Sequence, residues 1–260
     1  MSRIRQSLVL APSLLLLAGC ASTGIGTHRA KVTPQRPTVG NTTQTAAFGT
    51  AEIEAGVAFD PSDRVDTAAT IRFGLSESSE LFVSHVPYVT VDAPGPDPSG
   101  PGDLTVGFRQ RLLDESKDFP ATALEIATSI PIGDDDPAIS SGYTNLYTGF
   151  TLDRHFGDLL TSWYYRLGLI GTAEAGNLDV QHTLAVAGYM PLMDRWNGVV
   201  ELASTYYPEA GVEPLTANGS LLYTVTDSLL FDIGVQVGLN DDAQDFAIVA
   251  GVTTNIGRIF

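Results

Sequence analysis

The amino-acid sequence predicts an all-β fold, a closed antiparallel transmembrane β-barrel of about 12 strands. Apolar residues alternate with small, polar or charged residues in repeated segments, which is the period of a strand with one apolar face. These segments are about 10–13 residues long, which suits tilted membrane-crossing strands better than the ~5–6 residues typical of soluble sheets. An even number of strands returns both chain ends to the same side of the membrane, and closure of the antiparallel wall leaves no unpaired strand edge in hydrocarbon.

The first 20 residues carry an export signal that ends at the single cysteine of the chain. Arg3 and Arg5 precede an apolar run too short to span a bilayer, so residues 1–19 are interpreted as a signal peptide. The sequence Leu17-Ala18-Gly19-Cys20 resembles the bacterial lipobox, which implies cleavage before Cys20 and a lipid anchor on its sulfur. Ala at position 21 implies, within this resemblance, an anchor in the outer membrane on the periplasmic side.

Residues 20–46 are predicted to form a flexible periplasmic linker, since they are rich in Thr, Gly and Pro and lack periodicity. The barrel is predicted over residues 47–260. From Ala47 onward no apolar run reaches the ~18 residues of a transmembrane helix.

The alternation recurs along the whole predicted barrel. In the first segment, Ile53 and Val57 fall on the apolar face, whereas Glu52 and Glu54 fall on the opposite face. Turn signals such as Asp60-Pro61-Ser62-Asp63 separate the segments. The predicted strands are 47–59, 64–75, 80–91, 103–113, 120–131, 143–153, 161–173, 179–190, 196–207, 215–225, 228–239 and 245–257.

Three stretches resemble the outer-membrane transporter-like barrel family named for the meta-pathway of phenol degradation. They are GPGDLTVGFRQR at 100–111, SIPIG at 129–133 and FDIGVQVGL at 231–239. The resemblance covers roughly residues 50–257 and implies a passive channel or transporter for small, apolar or aromatic solutes. The terminal Phe260 is similar to the aromatic end by which the β-barrel assembly machinery recognises its precursors.

Charge and cysteine content exclude several classes of function. A formal net charge of −16 without a basic patch excludes nucleic-acid binding. One cysteine excludes a disulfide framework and a Cys-rich metal site, and no nucleotide loop or redox motif indicates a cofactor. Most acidic residues fall in connections expected outside the cell, where outer-membrane lipids and lipopolysaccharide are the expected partners. Asp134, Asp135 and Asp136 are calcium candidates, but three consecutive side chains cannot all reach one ion, so no metal is expected.

Charged residues also fall on the strand face that a barrel turns toward its lumen. Arg72 is expected to pair with the first-strand glutamates, and Glu125 with Arg109 or Arg111, because unpaired buried charge is costly. The pairs either fill a narrow lumen or line a selective constriction. The lumen candidates are Glu52, Glu54, Arg72, Arg109, Arg111, Glu125, Arg166, Glu201 and Asp232.

An enzymatic function is not expected, since the His-x-Ser signature of some outer-membrane hydrolases is missing after each of the four histidines. Ser84 and His85 are adjacent, and adjacent strand residues point to opposite faces. Three alternatives to a channel remain: a structural or sensory barrel with a filled lumen, a lipid-modifying hydrolase with a cross-strand dyad, and a secreted β-sandwich with one wet face.

Overall fold

The computed structural model describes residues 30–61, 64–93, 96–133, 136–173 and 177–260. The signal peptide and Cys20 lie outside the described residues. No helix in the described ranges is long and apolar enough to cross a membrane. The wall strands are β1 (Thr50–Phe59), β2 (Arg64–Gly74), β3 (Ser79–His85), β6 (Leu104–Leu113), β7 (Ala121–Ile130), β8 (Asn145–Phe156), β9 (Leu159–Gly171), β10 (Leu178–Met193), β11 (Trp196–Tyr206), β12 (Leu215–Thr226), β13 (Leu229–Gly238) and β14 (Phe246–Arg258), with two short strands, β4 (Val89–Val91) and β5 (Ser99–Gly100).

The wall strands form one closed antiparallel sheet. Each pairs with its neighbours along the chain, and β1 pairs with both β2 and β14. Glu54 on β1, for example, lies opposite Thr70 on one side and Thr253 on the other. The predicted closed barrel of 12 strands is therefore confirmed.

The third predicted segment, 80–91, differs from the prediction because it is interrupted. Strand β3 ends at His85, and β4 resumes at Val89 and pairs with the first residues of β2. Pro87 lies in the gap, and a proline has no N–H to continue a strand ladder.

The two ends of the barrel have connections of different length. At one end, the turns 157–158, 194–195 and 227–228 join consecutive strands; we call this the short-turn end. At the opposite end, the long-loop end, residues 86–103 and 131–144 connect wall strands. Strand β1 begins and β14 finishes at the short-turn end.

The two faces of the wall have opposite character. Ile126 and Val200 point outward and are 66% and 67% exposed, as expected of side chains that contact hydrocarbon. Phe108 and Ile233 also face outward. Charged side chains face inward and are buried, and Glu52 is 0% exposed. The interior of the barrel is thus a polar, densely occupied space.

Part of what occupies that space is the chain itself. Residues 30–49, which we call the lumen segment, enter at the short-turn end, where Val32 N–H donates to Asp227 O at 2.8 Å. The segment turns inside the barrel near Arg36–Gly40 and returns to the short-turn end, where Phe48 bridges to Gly74. The linker prediction for 20–46 is therefore wrong for residues 30–46. They are fixed by hydrogen bonds to the wall, which composition alone does not reveal.

Candidate functional site

Arg72 on β2 lies among three carboxylates inside the lumen. Its guanidinium is 2.7 Å from Glu52 Oε1 and 2.9 Å from both Glu54 Oε1 and Glu80 Oε2. Strand register explains the cluster, because Glu52 lies directly opposite Arg72 and Glu54 follows two residues later on the same face. Arg72 is 1% exposed, so each of these charges depends on its partners rather than on water. This is the pairing that the sequence predicts.

Arg109 on β6 extends the same network around the wall. It lies 2.8 Å from Glu80 Oε1 and 2.6 Å from Glu125 Oε2. The register places Glu80, Arg109 and Glu125 directly opposite one another on three neighbouring strands. Glu80 therefore bridges Arg72 and Arg109, and the wall carries a continuous row of alternating charges.

Carboxylates of the wall bind the lumen segment through its backbone amides. Glu201 is the clearest case, because its two oxygens accept from Val39 N–H at 2.8 Å and from Gly40 N–H at 2.9 Å. These bonds reach strands on every side of the lumen and hold the segment at its tip and along both arms. The others run from Thr33 to Glu52, from Gln35 to Glu54, from Thr43 to Asp153 and from Ala46 to Glu80.

Arg36 at the tip lies in a slot that two wall glycines leave open. Gly56 and Gly251 are directly paired on β1 and β14. A Cβ at Gly56 would lie 2.2 Å from Arg36 Cζ, and a Cβ at Gly251 would lie 2.4 Å from Arg36 Nε. From this slot Arg36 donates to Asp232 Oδ1 at 3.4 Å and to Ala250 O at 3.1 Å. The absence of side chains at Gly56 and Gly251 thus leaves the space that the Arg36 guanidinium fills.

An apolar cluster holds the entry of the segment. Val32 packs with Val199, Leu222 and Leu230 of the wall, and Tyr189 lies against this group. Tyr189 Oη also lies 3.0 Å from Thr38 Oγ1 near the tip. Burial of apolar surface therefore adds to the hydrogen bonds that keep the segment inside.

The lumen segment separates two cavities. The cavity toward the long-loop end has a volume of about 320 Å³ and is lined by Thr70, Ser84, Thr105, Tyr147 and Arg166 together with the tip. The cavity toward the short-turn end has a volume of about 350 Å³ and is lined in part by Val32, Thr42 and Leu230. The two cavities share no lining residue. The segment thus lies between the two cavities.

Most of the predicted lumen residues do face the lumen. Arg111 is the exception, because it lies at the short-turn rim and pairs with Asp114 at 2.9 Å, away from the central network. Arg111 N–H groups also donate to Glu77 O, outside the wall strands. The residues in place are Glu52, Glu54, Arg72, Arg109, Glu125, Arg166, Glu201 and Asp232.

Glu80, Asp153 and Arg36 are among the lumen residues that the sequence did not predict. Glu80 shares its face with Phe82, whose ring lies over Gly107 and beneath the Arg109 guanidinium at 5.6 Å. A large apolar side chain on the inner face disrupts the polar alternation that would have marked Glu80. Arg36 belongs to a stretch without periodicity, so no pattern could assign it to the lumen.

The described histidines form no dyad with a serine. His85 Nδ1 contacts Asp103 O at 3.3 Å, while Ser84 contacts Thr70 on the opposite face. His182 Nδ1 lies 2.9 Å from Tyr165 Oη on the outer surface, and His155 pairs with Glu115 at 2.5 Å. In the described parts of residues 30–260, these contacts place no serine hydroxyl beside a histidine that could act as its base.

The calcium candidates lie only partly in the described structure. Asp134 and Asp135 lie outside the described residues, and Asp136 Oδ1 accepts from Ala138 N–H at 2.9 Å. Within the described ranges, no group of three or more His, Cys, Asp or Glu residues is arranged to hold a metal ion.

Comparisons with known proteins agree with this architecture. No protein-family model matches the chain, and no curated protein matches it. The COG4313 outer membrane channel from Pseudomonas putida F1 has a similar structure, with a TM-score of 0.66 at 11% identity over 86% of this chain and 100% of that chain. The fold is that of an outer-membrane β-barrel. The KdgM porin also matches, with a TM-score of 0.56 at 12% identity over 78% of this chain and 98% of that chain.

Proposed function

We propose that this barrel is a bacterial outer-membrane channel for small solutes, and that its own lumen segment closes it. The apolar outer face supports a membrane location, because such a surface is stable only against hydrocarbon. Outer-membrane barrels have short periplasmic turns and longer extracellular loops, so we take the short-turn end as periplasmic. The proteins of similar fold are named as a channel and a porin, which supports the same reading.

The observation that carries the proposal is the way the lumen is filled. The filling is a separate stretch of chain, held by backbone amides such as those of Val39 and Gly40 on Glu201. Each such bond to a carboxylate contributes about 1.5–3 kcal/mol, and the bonds are separate, so the segment can leave one bond at a time while the strand ladder stays intact. Both of its ends lie at one mouth of the barrel, and a cavity already exists on each side of it.

The lining favours polar solutes. Hydroxyl, carboxylate and guanidinium groups line the cavity at the long-loop end, and the wall groups that the segment now occupies are carboxylates as well. Displacing the segment would expose these groups to water and solute. We therefore infer small polar or charged solutes rather than the apolar or aromatic ones that the sequence resemblance implies.

We further infer that Cys20 is a lipid anchor in the inner leaflet. Ala30 lies ten positions after Cys20, and an extended chain of that length reaches about 33–36 Å. That reach is comparable to the thickness of the hydrocarbon core, so an anchor beside the barrel mouth is compatible with the entry point of the lumen segment. Acyl labelling of the native chain, and its loss in Cys20→Ser, tests the anchor. Recognition of Phe260 by the assembly machinery and contact of the acidic loops with lipopolysaccharide are partners that stay predictions.

Planar-bilayer conductance tests the channel. We expect the full chain to be closed for most of the recording, and a variant lacking residues 31–46 to conduct continuously. Glu201→Gln keeps the segment but removes one of two acceptors at its tip, so we expect openings of intermediate frequency. Glu209→Gln, the same chemical change in an exposed loop, serves as the matched control. A correctly folded deletion variant with no conductance would exclude a channel.

That last outcome would favour the second candidate, a structural or sensory barrel with a permanently filled lumen. The paired state of Arg72, Arg109 and their carboxylates favours it, since such pairs pack the interior without needing a solute.

A further inference from the structure

The cavity at the long-loop end contains an arginine that the ion network does not neutralise. Arg166 lines this cavity from β9. Within the described ranges, no carboxylate lies at salt-bridge distance from Arg166, and its Nε has no hydrogen-bond partner. The other lumen arginines, Arg36, Arg72 and Arg109, each pair with at least one carboxylate.

Strand register explains why Arg166 is left over. The row of alternating charges runs from Glu80 through Arg109 to Glu125 and then meets Gly149, which has no side chain. Arg166 is the next residue in that row, and Thr183 follows it. The Glu125 carboxylate is already bound by Arg109 at 2.6 Å and by Asn41 Nδ2 at 3.0 Å. The wall therefore places a cation where it provides no anion.

The surroundings of Arg166 leave room for a ligand. Its guanidinium carbon lies 4.9 Å from the centre of the Tyr147 ring, which packs against the group. Gly168 lies between Tyr147 and Gln181 in the neighbouring cross-strand row. Gln181 Oε1 is likewise buried without a hydrogen-bond partner among the described residues, so a second polar group in this region is unpaired.

We propose that Arg166, with Tyr147 beside it, forms a binding site for small organic carboxylates in the long-loop half of the lumen. The inference rests on the channel proposed above and names the class of solute that it would admit. A guanidinium offers two parallel N–H donors in the geometry of a carboxylate, and such a pair is stronger in a partly dry cavity than in water. A volume of about 320 Å³ is within the range of small-molecule sites.

The test measures binding to the full chain in detergent, without any conductance. Isothermal titration with butyrate should give saturable binding at one site, whereas butyramide, its neutral analogue, should not bind. Arg166→Gln should weaken butyrate binding at least tenfold, and Arg166→Lys should retain part of it. Arg111→Gln, an arginine at the short-turn rim, is the matched control and should stay within twofold of the natural protein.

Folding of each variant is checked by heat-modifiable migration in gels. Equal binding of butyrate and butyramide, or unchanged butyrate binding in folded Arg166→Gln, would overturn the site, as would no butyrate binding by the folded natural chain. Inorganic phosphate is titrated in parallel, and tighter binding of phosphate than of butyrate would overturn the preference for carboxylates. Because binding is measured on the closed barrel, failure of the channel in bilayers and failure of this site are separate results.

Discussion

Glu80 connects the two arginine centres of the lumen. One of its oxygens lies 2.9 Å from Arg72 and the other 2.8 Å from Arg109, and it also accepts from Ala46 N–H at 2.7 Å. A single side chain thus neutralises two wall cations and fixes the end of the lumen segment.

Replacing Glu80 by Gln should therefore be strongly destabilising. Two buried guanidinium groups would lose a charged partner, and breaking a buried pair on one side costs about 3–5 kcal/mol. The free energy of unfolding in urea, measured in detergent, checks this value. Arg64→Gln removes a half-exposed pair with Asp66 and should cost less than about 1 kcal/mol. Similar midpoints for the two variants would contradict the expected role of Glu80.

Glu115, in the turn at the short-turn end, gives a pH-dependent contribution. A hydrogen bond with the His155 side chain, and a second from its backbone N–H, lower the pKa of Glu115 from its ordinary value of 4.5. A carboxyl with a lowered pKa stabilises the folded state above its ordinary pKa and loses that contribution as pH falls through the folded-state value. Unfolding midpoints between pH 6 and pH 3 should fall less steeply in Glu115→Gln than in the natural chain; equal slopes would show that the contact contributes nothing.

Residues on regular strands were well placed from sequence, and their partners followed from register. Alternation put Glu52 and Arg72 on the inner face, and adjacency in the sheet then made them a pair. Arg111 has the same parity as Arg109, but it lies two residues nearer the end of β6 at Leu113 and therefore at the rim. Alternation along a strand determines which face a side chain is on. The height of that side chain along the barrel axis depends instead on where the strand begins and ends, which alternation does not show.

At the scale of elements, the lumen segment is recognised by the wall through its backbone. Most of its bonds to carboxylates come from amide N–H groups, which every residue except proline supplies. A stretch rich in Thr, Gly and Pro is sufficient for such binding, which is why its composition resembles that of a linker. The strands were predictable because their side chains alternate; this element was not, because the side chains that contact the wall follow no period along the sequence.

Arg36 contacts the wall through its side chain, and its slot provides a test of the element. Gly251→Ala should push the guanidinium off Asp232, since the new Cβ would lie 2.4 Å from Arg36 Nε; it would also lie 2.8 Å from Ala55 O, so β1 and β14 must shift locally. We expect amide hydrogen exchange of Thr38 to Gly40 to accelerate at least tenfold, while exchange in the strands other than β1 and β14 changes little. Gly219→Ala, whose Cβ would meet nothing within 4 Å, is the control. Unchanged exchange at the tip would mean that the slot does not hold the segment.

At the scale of the whole molecule, the difference in polarity between the outer and inner faces of the wall determines the environment in which the barrel is stable. Outward side chains are apolar along the strands, and inward ones are polar and matched to a polar segment. The alternation of apolar and polar residues in the sequence reflects this difference along the wall strands, which is why the closed barrel could be predicted. What fills the lumen depends instead on contacts between residues up to 225 positions apart, which alternation does not show.

A charge on the outer face should be costly in proportion to its depth. Phe108 lies mid-strand and faces outward, so Phe108→Arg should destabilise the barrel by about 2–4 kcal/mol. Asp158→Arg, in an exposed turn, should have a much smaller effect. Unfolding of both variants from lipid bilayers measures the difference, and equal costs would argue against a membrane-embedded wall.

The lumen segment begins and ends at the same mouth of the barrel, against Asp227 at one end and Gly74 at the other. The segment enters and leaves through the same opening, so it does not pass through the barrel from one end to the other. Withdrawal of the segment therefore does not require the strand pairing between β1 and β14 to break. A force applied to the chain on the N-terminal side of Val32 would break the hydrogen bonds between the segment and the wall in order, from Val32 toward the tip. Each step would therefore break one bond at a time. Under the proposed function, the stretch that closes the barrel is also the part of the chain through which such a force would open it.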